Sequence, residues 1–103
     1  RVAACTVPVS IADPATNAAR WARSQWSGEV EWLEKTQPAH LLIDCLFGTG
    51  LRRGLEDAVA QRLSALAQAA EVTVACDLPS GVEADSGACL SPVPTCDLTV
   101  TFG

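Results

Sequence analysis

The sequence predicts an α/β protein built around a mostly parallel, doubly wound sheet. Strand-like and helix-like segments alternate along the 103 residues in the order β-α-β-β-α-β-loop-β. Residues 41–47 hold five large apolar residues out of seven without alternation, which is typical of a parallel strand covered on both faces. Hydrophobic residues make up 49% of the chain, so it is too apolar to be disordered.

The first third of the chain is predicted to hold two strands and one helix. Residues 2–7 form the first strand, and Asp13 with Pro14 supplies a helix N-cap and a first helical residue. This helix is expected to reach about Trp26 before Gly28 ends it. Residues 29–32 form a short strand near a sheet edge, because charged and apolar residues alternate there. The apolar side of the helix comprises Ala15, Ala18, Ala19, Ala22 and Trp26.

The remaining chain is predicted to hold three strands and a second helix. Residues 41–47 form the third strand and residues 72–77 the fourth, both without alternation. A turn at residues 79–81 and a loop rich in Ser, Pro and Gly lead to a fifth strand at residues 97–102. The helix between the third and fourth strands spans about residues 55–70, with helical spacing of Leu55, Val59, Leu63, Leu66 and Ala70.

Composition limits the partners. The net charge is −5, the isoelectric point is about 4.6 and Lys and Arg together number seven, so a nucleic-acid surface is not expected. Apolar runs stay shorter than the roughly 18 residues of a membrane span, and the chain opens without a signal-peptide pattern. A cytoplasmic location fits the acidic balance. Because the chain starts at Arg1 inside a strand-like run, we expect it to be part of a longer protein.

The five cysteines are Cys5, Cys45, Cys76, Cys89 and Cys96, an odd number without a C-x-x-C pair. We expect them to be small buried hydrophobic residues in a reducing compartment rather than disulfide or zinc ligands. The single histidine, His40, completes no familiar zinc spacing with them.

Two acids follow or end apolar strands. Asp44 and Asp77 are 33 residues apart, the length of one strand-helix-strand unit, which places both at the carboxyl edge of the sheet. Neighbouring strands lie about 4.8 Å apart, so a cation, a hydroxyl donor or a shared proton must intervene between the two carboxylates. Ser80 is a candidate hydroxyl, and oxygen ligands suit a hard cation. The alternative is that Asp44 caps local backbone amides and Asp77 caps a turn.

The turn between the third strand and the second helix is a candidate phosphate site. Glycines allow close approach of a ligand, amides at a helix N-terminus attract phosphate, and two arginines can pair with phosphate oxygens. The spacing G-x-G-x-x-x-G is one residue longer than the dinucleotide fingerprint, so a plain glycine turn with two solvated arginines remains an alternative. The residues are Gly48, Thr49, Gly50, Leu51, Arg52, Arg53 and Gly54.

Three segments together resemble one family. LIDCLFGTGL at residues 42–51 with Arg53, VACDLPSGVEADSG at residues 74–87 and DLTVTFG at residues 97–103 closely resemble the YjeF N-terminal domain family, in family order and spacing. That family includes the NAD(P)HX epimerases, alone or fused to a dehydratase. The resemblance is specific from about Pro38, whereas residues 1–37 match only in layout.

The resemblance implies a three-layer α-β-α, Rossmann-like domain, a function and a set of site residues. It implies an isomerase of metabolite repair that interconverts the R and S forms of hydrated NADH and NADPH. It also implies a potassium ion held at Asp44 and Ser80, and dinucleotide contacts at Asp77 and at residues 48–54. We further hypothesise that Asp44 is catalytic, assisting loss and return of the hydroxyl group on the damaged ring.

The sequence also departs from the family pattern. The family's N-N-G-G-D-G loop is absent, so residues 1–103 are expected to be the C-terminal part of the domain, with that loop upstream. Gly54 stands where many members have proline. Two alternatives remain: a non-catalytic binding or dimerisation module, and a plain nucleotide- or sugar-phosphate-binding enzyme. The sequence leaves open a homodimer, a fused dehydratase domain and activity of the 103-residue piece alone.

Overall fold

The computed structural model describes residues 9–10, 12–47, 54–83, 85–90 and 93–101. The chain divides into two compact units, Arg1–Thr36 and Gln37–Gly103, and each is described by itself. The strand predicted at residues 2–7 lies outside the described residues. Across the described part of the chain, every helix is too short or too polar to cross a membrane.

The first unit contains a small parallel sheet and one helix. Strand β1 (Val9–Ser10) pairs in parallel with β2 (Glu31–Trp32), and helix α1 (Asn17–Ser24) lies between them in the chain. A short 3₁₀ helix, Leu33–Lys35, follows β2. The predicted helix and the strand after it are therefore present, both shorter than the sequence suggested, whereas β1 lies outside the strand predicted at residues 2–7.

The predicted start of α1 is wrong. Thr16, not Asp13, is the N-cap: its hydroxyl oxygen accepts a hydrogen bond from the Ala19 amide at 3.1 Å. This bond satisfies one of the amide groups that a helix start leaves without a partner inside the helix. The helix also ends earlier than predicted, at Ser24, whose hydroxyl donates to the Trp21 carbonyl at 2.6 Å. The polar side chains of Thr16 and Ser24 therefore mark the two ends of the helix, whereas Pro14 and Gly28, on which the prediction relied, lie outside it.

The second unit is a three-stranded parallel sheet with one helix. Its strands are β3 (Leu41–Asp44), β4 (Val72–Cys76) and β5 (Leu98–Val100), in the spatial order β3-β4-β5. Helix α2 (Asp57–Ala69) connects β3 to β4. This arrangement confirms the predicted α/β, Rossmann-like class with parallel pairing.

Helix α2 covers one face of this sheet. Leu55, Ala60 and Leu63 form a buried cluster, and Leu42 of β3 packs against it. Thr73 and Ala75 of β4 are 1% and 0% exposed. Because Leu42 pairs with Thr73 and Asp44 with Ala75, these side chains share the face that α2 covers.

The opposite face of the sheet is exposed. Leu41 and Ile43 are both 53% exposed, so the prediction that β3 is covered on both faces is wrong for the described residues. Their partners in the strand register, Val72 and Val74, lie on the same face. Leu98 and Val100 of β5 extend this face and are also exposed. The apolar strand therefore predicted the parallel pairing correctly, but not the exposure of this face.

Candidate functional site

The predicted acid Asp44 lies at the carboxyl end of β3 and is 1% exposed. The Ser80 hydroxyl donates to Asp44 Oδ1 at 2.5 Å, and the Ser80 amide donates to Asp44 Oδ2 at 2.7 Å. The Leu46 amide donates to Oδ1 at 3.3 Å. The carboxyl group is thus held by one local donor and by two donors from a residue 36 positions away.

Ser80 ties two turns together. It is fully buried, and its Oγ accepts a hydrogen bond from the Phe47 amide at 3.1 Å while the hydroxyl donates to Asp44. The turn after β3 and the turn after β4 therefore meet at one side chain. Among the described residues, every buried side-chain nitrogen or oxygen has a hydrogen-bond partner.

The parallel register explains why these residues meet. Asp44 pairs with Ala75, so the end of β3 lies beside the end of β4, and the chain turns back after Cys76. Gly81 is buried and has a φ of 106°, a conformation that side chains with a Cβ rarely adopt. The tight turn at residues 79–81 that the sequence predicted brings Ser80 back over Asp44.

Local and distant donors both reach the Asp44 carboxyl group. The bond from Leu46 is the local amide capping that was the plain alternative. The bonds from Ser80 bring a hydroxyl and an amide to Asp44, while a hydroxyl or cation between Asp44 and Asp77 stays a prediction. Backbone amides of Leu46 and Phe47 belong to the same arrangement, and sequence reasoning missed them because every residue carries an amide.

Asp77 follows β4 in a strained backbone conformation. Its φ is 71°, the only positive value outside glycine in the described chain, and its amide donates to the Val100 carbonyl at 2.6 Å. Aspartate tolerates this left-handed region better than most residues, and such outliers cluster at functional sites. Asp77 thus lies at the carboxyl edge beside β5, one residue beyond the end of β4.

A pair of substitutions measures the strain at Asp77. Alanine and glycine both remove the carboxyl group, so the difference between Asp77→Ala and Asp77→Gly reports the backbone conformation alone. We expect the alanine variant to be less stable than the glycine variant by about 1–2 kcal/mol in urea unfolding, because a Cβ is disfavoured at this φ. An alanine variant more stable than the glycine variant would show that the left-handed conformation is not kept in solution, since alanine is the more stabilising residue wherever the backbone is not strained.

The hydrogen-bond acceptor positions that remain on Asp44 and Ser80 determine what else the site can bind. A carboxylate has roughly four acceptor positions and a hydroxyl oxygen two. Three donors point at Asp44 and one at Ser80, which leaves one position on Asp44 Oδ2 and one on Ser80 Oγ. Both are buried oxygens, the ligand type that hard cations prefer. Within the described residues, three or more His, Cys, Asp or Glu side chains do not come together as a metal cluster.

Two cysteines lie beside this site. Partial burial, then the neighbouring Cys76 thiol and the negative charge of Asp44, raise the pKa of Cys45 to about 11. Cys45 is exposed and Cys76 half-buried, so the prediction that the cysteines are buried is wrong for Cys45. The exposed Cys89 departs from it as well. Burial, followed by the charges of Asp44 and Asp97, also raises the pKa of Cys96.

The glycine turn lies almost wholly outside the described residues. Gly54 is described and half-buried, next to the buried Leu55 that precedes α2. The other predicted contacts lie outside the described residues: Gly48, Thr49, Gly50, Leu51, Arg52 and Arg53. Their role in binding stays a prediction.

Relatives with curated descriptions match most of the chain. An NAD(P)H-hydrate epimerase of Limosilactobacillus fermentum is 42% identical over 64 residues, covering 62% of this chain and 31% of that protein. A bifunctional NAD(P)H-hydrate repair enzyme Nnr of Moorella thermoacetica is 42% identical over 64 residues, 62% of this chain and 12% of that protein. The corresponding enzyme of Thermosynechococcus vestitus is 34% identical over 85 residues, 82% of this chain and 17% of that protein.

These relatives are much longer than the matched region, which spans 12–31% of the three proteins. Solved structures give no match. The family model described as YjeF-related protein N-terminus matches residues 6–103, which extends the likeness upstream of the segments recognised in the sequence. This match covers nearly the whole chain, and the protein therefore belongs to the YjeF-related protein N-terminus family.

Proposed function

We propose that the protein is an NAD(P)H-hydrate epimerase, an isomerase that interconverts the R and S forms of hydrated NADH and NADPH. The observation that carries this proposal is the buried Asp44–Ser80 pair at the carboxyl edge of the sheet. Ligands of doubly wound folds bind at that edge. Relatives described as NAD(P)H-hydrate epimerases support the choice of substrate.

The proposed reaction needs one proton donor that also takes the proton back. The ring nitrogen of the hydrated nicotinamide pushes its electron pair toward the hydrated carbon, and the carbon–oxygen bond breaks. A proton from Asp44 converts the departing hydroxide to water. Water then adds to either face of the ring and returns a proton to Asp44, so atoms and charge balance. General acid–base assistance of this kind contributes on the order of 10²–10⁴ in rate.

The other residues hold the reacting groups in place. Ser80 fixes the orientation of the Asp44 carboxyl group through two hydrogen bonds, so it is a positioning residue. Asp77, on the neighbouring turn, is proposed to bind the dinucleotide. The turn at residues 48–54 begins directly after Phe47, whose amide is anchored on Ser80, and we propose that it binds the pyrophosphate.

A potassium ion fits the donor set. The two acceptor positions left are on Asp44 Oδ2 and Ser80 Oγ. We propose that both atoms contribute to its coordination while the Asp44 carboxyl group is ionised, since Oδ2 gives up its open position when it carries the proton. When bound, the ion would supply positive charge beside a buried carboxylate, which costs free energy when it lacks a compensating partner.

The test uses the full-length protein with purified R-hydrated NADPH. We expect chiral chromatography to show faster appearance of the S form than in buffer alone. Calorimetry should give tighter binding of hydrated NADPH in potassium chloride than in tetramethylammonium chloride at equal ionic strength. Binding of hydrated NADPH without faster epimerisation would contradict the proposed epimerase activity. Equal binding in the two salts would contradict the proposed potassium site.

A non-catalytic binding or dimerisation module is the second candidate function. One observation favours it: the sheet face bearing Leu41, Ile43 and Leu98 is apolar and exposed. A module of this kind has no need of the Asp44–Ser80 pair as a reactive site. Two results would favour this candidate. The first is binding of hydrated NADPH without epimerisation, and the second is a dimer in sedimentation equilibrium together with no binding of hydrated NADPH.

A further inference from the structure

The exposed face of the sheet carries two cysteines at the carboxyl ends of β3 and β4. Asp44 pairs with Ala75 in the parallel register, so the next residues, Cys45 and Cys76, lie side by side. Both cysteines are free, and Cys45 is exposed to solvent. The proposed epimerase reaction uses neither of them.

Backbone geometry allows a covalent bond between them. Neighbouring strands are about 4.8 Å apart, and the Cα atoms of a disulfide lie about 4.4–6.8 Å apart. Side chains at paired positions of a parallel sheet project from the same face. The strand register is compatible with both requirements, so bond formation needs rotation of the two side chains rather than a new strand alignment.

We propose that Cys45 and Cys76 form a reversible disulfide with a low-molecular-weight disulfide, such as glutathione disulfide, as the oxidant. One cysteine loses its proton and attacks a sulfur atom of the oxidant, which releases one glutathione and leaves a mixed disulfide. The other cysteine loses its proton, attacks the protein-bound sulfur and releases the second glutathione. The two protein sulfur atoms together lose two electrons, which the oxidant gains, and the two protons end on the two glutathione thiols.

The bond would act directly beside the candidate site. It would join the residue that follows Asp44 to the residue that precedes Asp77. The bond would therefore fix the distance between the carboxyl ends of β3 and β4, where the two acids lie. A covalent link at this position is independent of the proposed epimerase and can form whether or not the protein has that activity.

Peptide mapping tests the proposal. The full-length protein is incubated for hours with glutathione disulfide, because the raised pKa of Cys45 slows exchange, and free thiols are then alkylated. Trypsin with endoproteinase Asp-N cuts the chain so that residues 44–52 contain only Cys45 and residues 63–76 only Cys76. We expect these two peptides to appear linked, two hydrogen atoms lighter than their sum, and dithiothreitol to separate them.

Two variants sharpen the result. Cys76→Ser should accumulate the glutathione adduct on Cys45 instead of a cross-link. The matched control is Cys89→Ser, at a residue that pairs with Val82 in an isolated antiparallel β-bridge, and this variant should keep the cross-link. A cross-link from Cys45 to residues 85–96, which hold Cys89 and Cys96, would overturn the proposal. A stable glutathione adduct on unaltered protein, or no modification after hours, would overturn it equally.

Discussion

Replacing Asp44 with asparagine is expected to slow epimerisation of hydrated NADPH by roughly 10²–10⁴-fold, because the amide can neither give up nor take back the proton. The same change should lower the free energy of unfolding by about 1–3 kcal/mol. Three donors converge on the carboxyl group, and an amide nitrogen in place of one oxygen sets a donor against a donor. Chiral chromatography measures the rate, and urea unfolding measures the stability.

Two further variants separate chemistry from folding. Asp85→Asn makes the same chemical change at an exposed acid of the following turn and should leave both rate and stability unchanged. Ser80→Ala keeps the acid but removes the 2.5 Å hydrogen bond, so it should reduce stability while retaining part of the rate. A folded Asp44→Asn protein with an unaltered rate would remove Asp44 from the catalytic step and leave it a structural residue.

Leu63→Ala is expected to lower the free energy of unfolding by about 2–5 kcal/mol. Leu63 is 2% exposed and belongs to the cluster between α2 and the sheet, so truncation leaves a cavity that neighbouring side chains fill only in part. A loss of this size is a large share of the roughly 5–15 kcal/mol that stabilises a domain. Urea unfolding followed by circular dichroism gives the value.

The matched control is Leu41→Ala on the other face of the sheet. Leu41 is 53% exposed, so its truncation removes fewer contacts and should cost well under half as much as Leu63→Ala. Equal losses for the two variants would mean that the exposed face is covered in solution. The comparison therefore tests the one-sided packing of the sheet as well as the core.

The sequence predicted the closeness of Asp44 and Ser80 better than the limits of the elements. A carboxylate inside an apolar run needs partners, and this requirement led to Asp44 and then to Ser80 on the next turn. Strand and helix periodicity identified α2 and the parallel strands because burial of a whole face follows from the pattern. Both predictions rest on large free-energy terms, the desolvation of a buried charge and the burial of an apolar face, and few conformations satisfy them.

Other features could not be predicted because they depend on small differences or on the register. Thr16 and Asp13 are both good N-caps, and only local backbone conformation selects between them. The left-handed φ of Asp77 could not be predicted because the position holds neither glycine nor asparagine, the residues that usually indicate this conformation. The closeness of Cys45 and Cys76 follows only once β3 and β4 are aligned, since their separation along the chain carries no signal.

The Asp44–Ser80 pair also has a consequence for how the protein folds. Its two residues are 36 positions apart, and the chain between them contains the whole of α2 and β4. Closing a loop of that length costs conformational entropy that only the packed helix and paired strands repay. The geometry of the site therefore depends on the folding of the entire segment between its two residues.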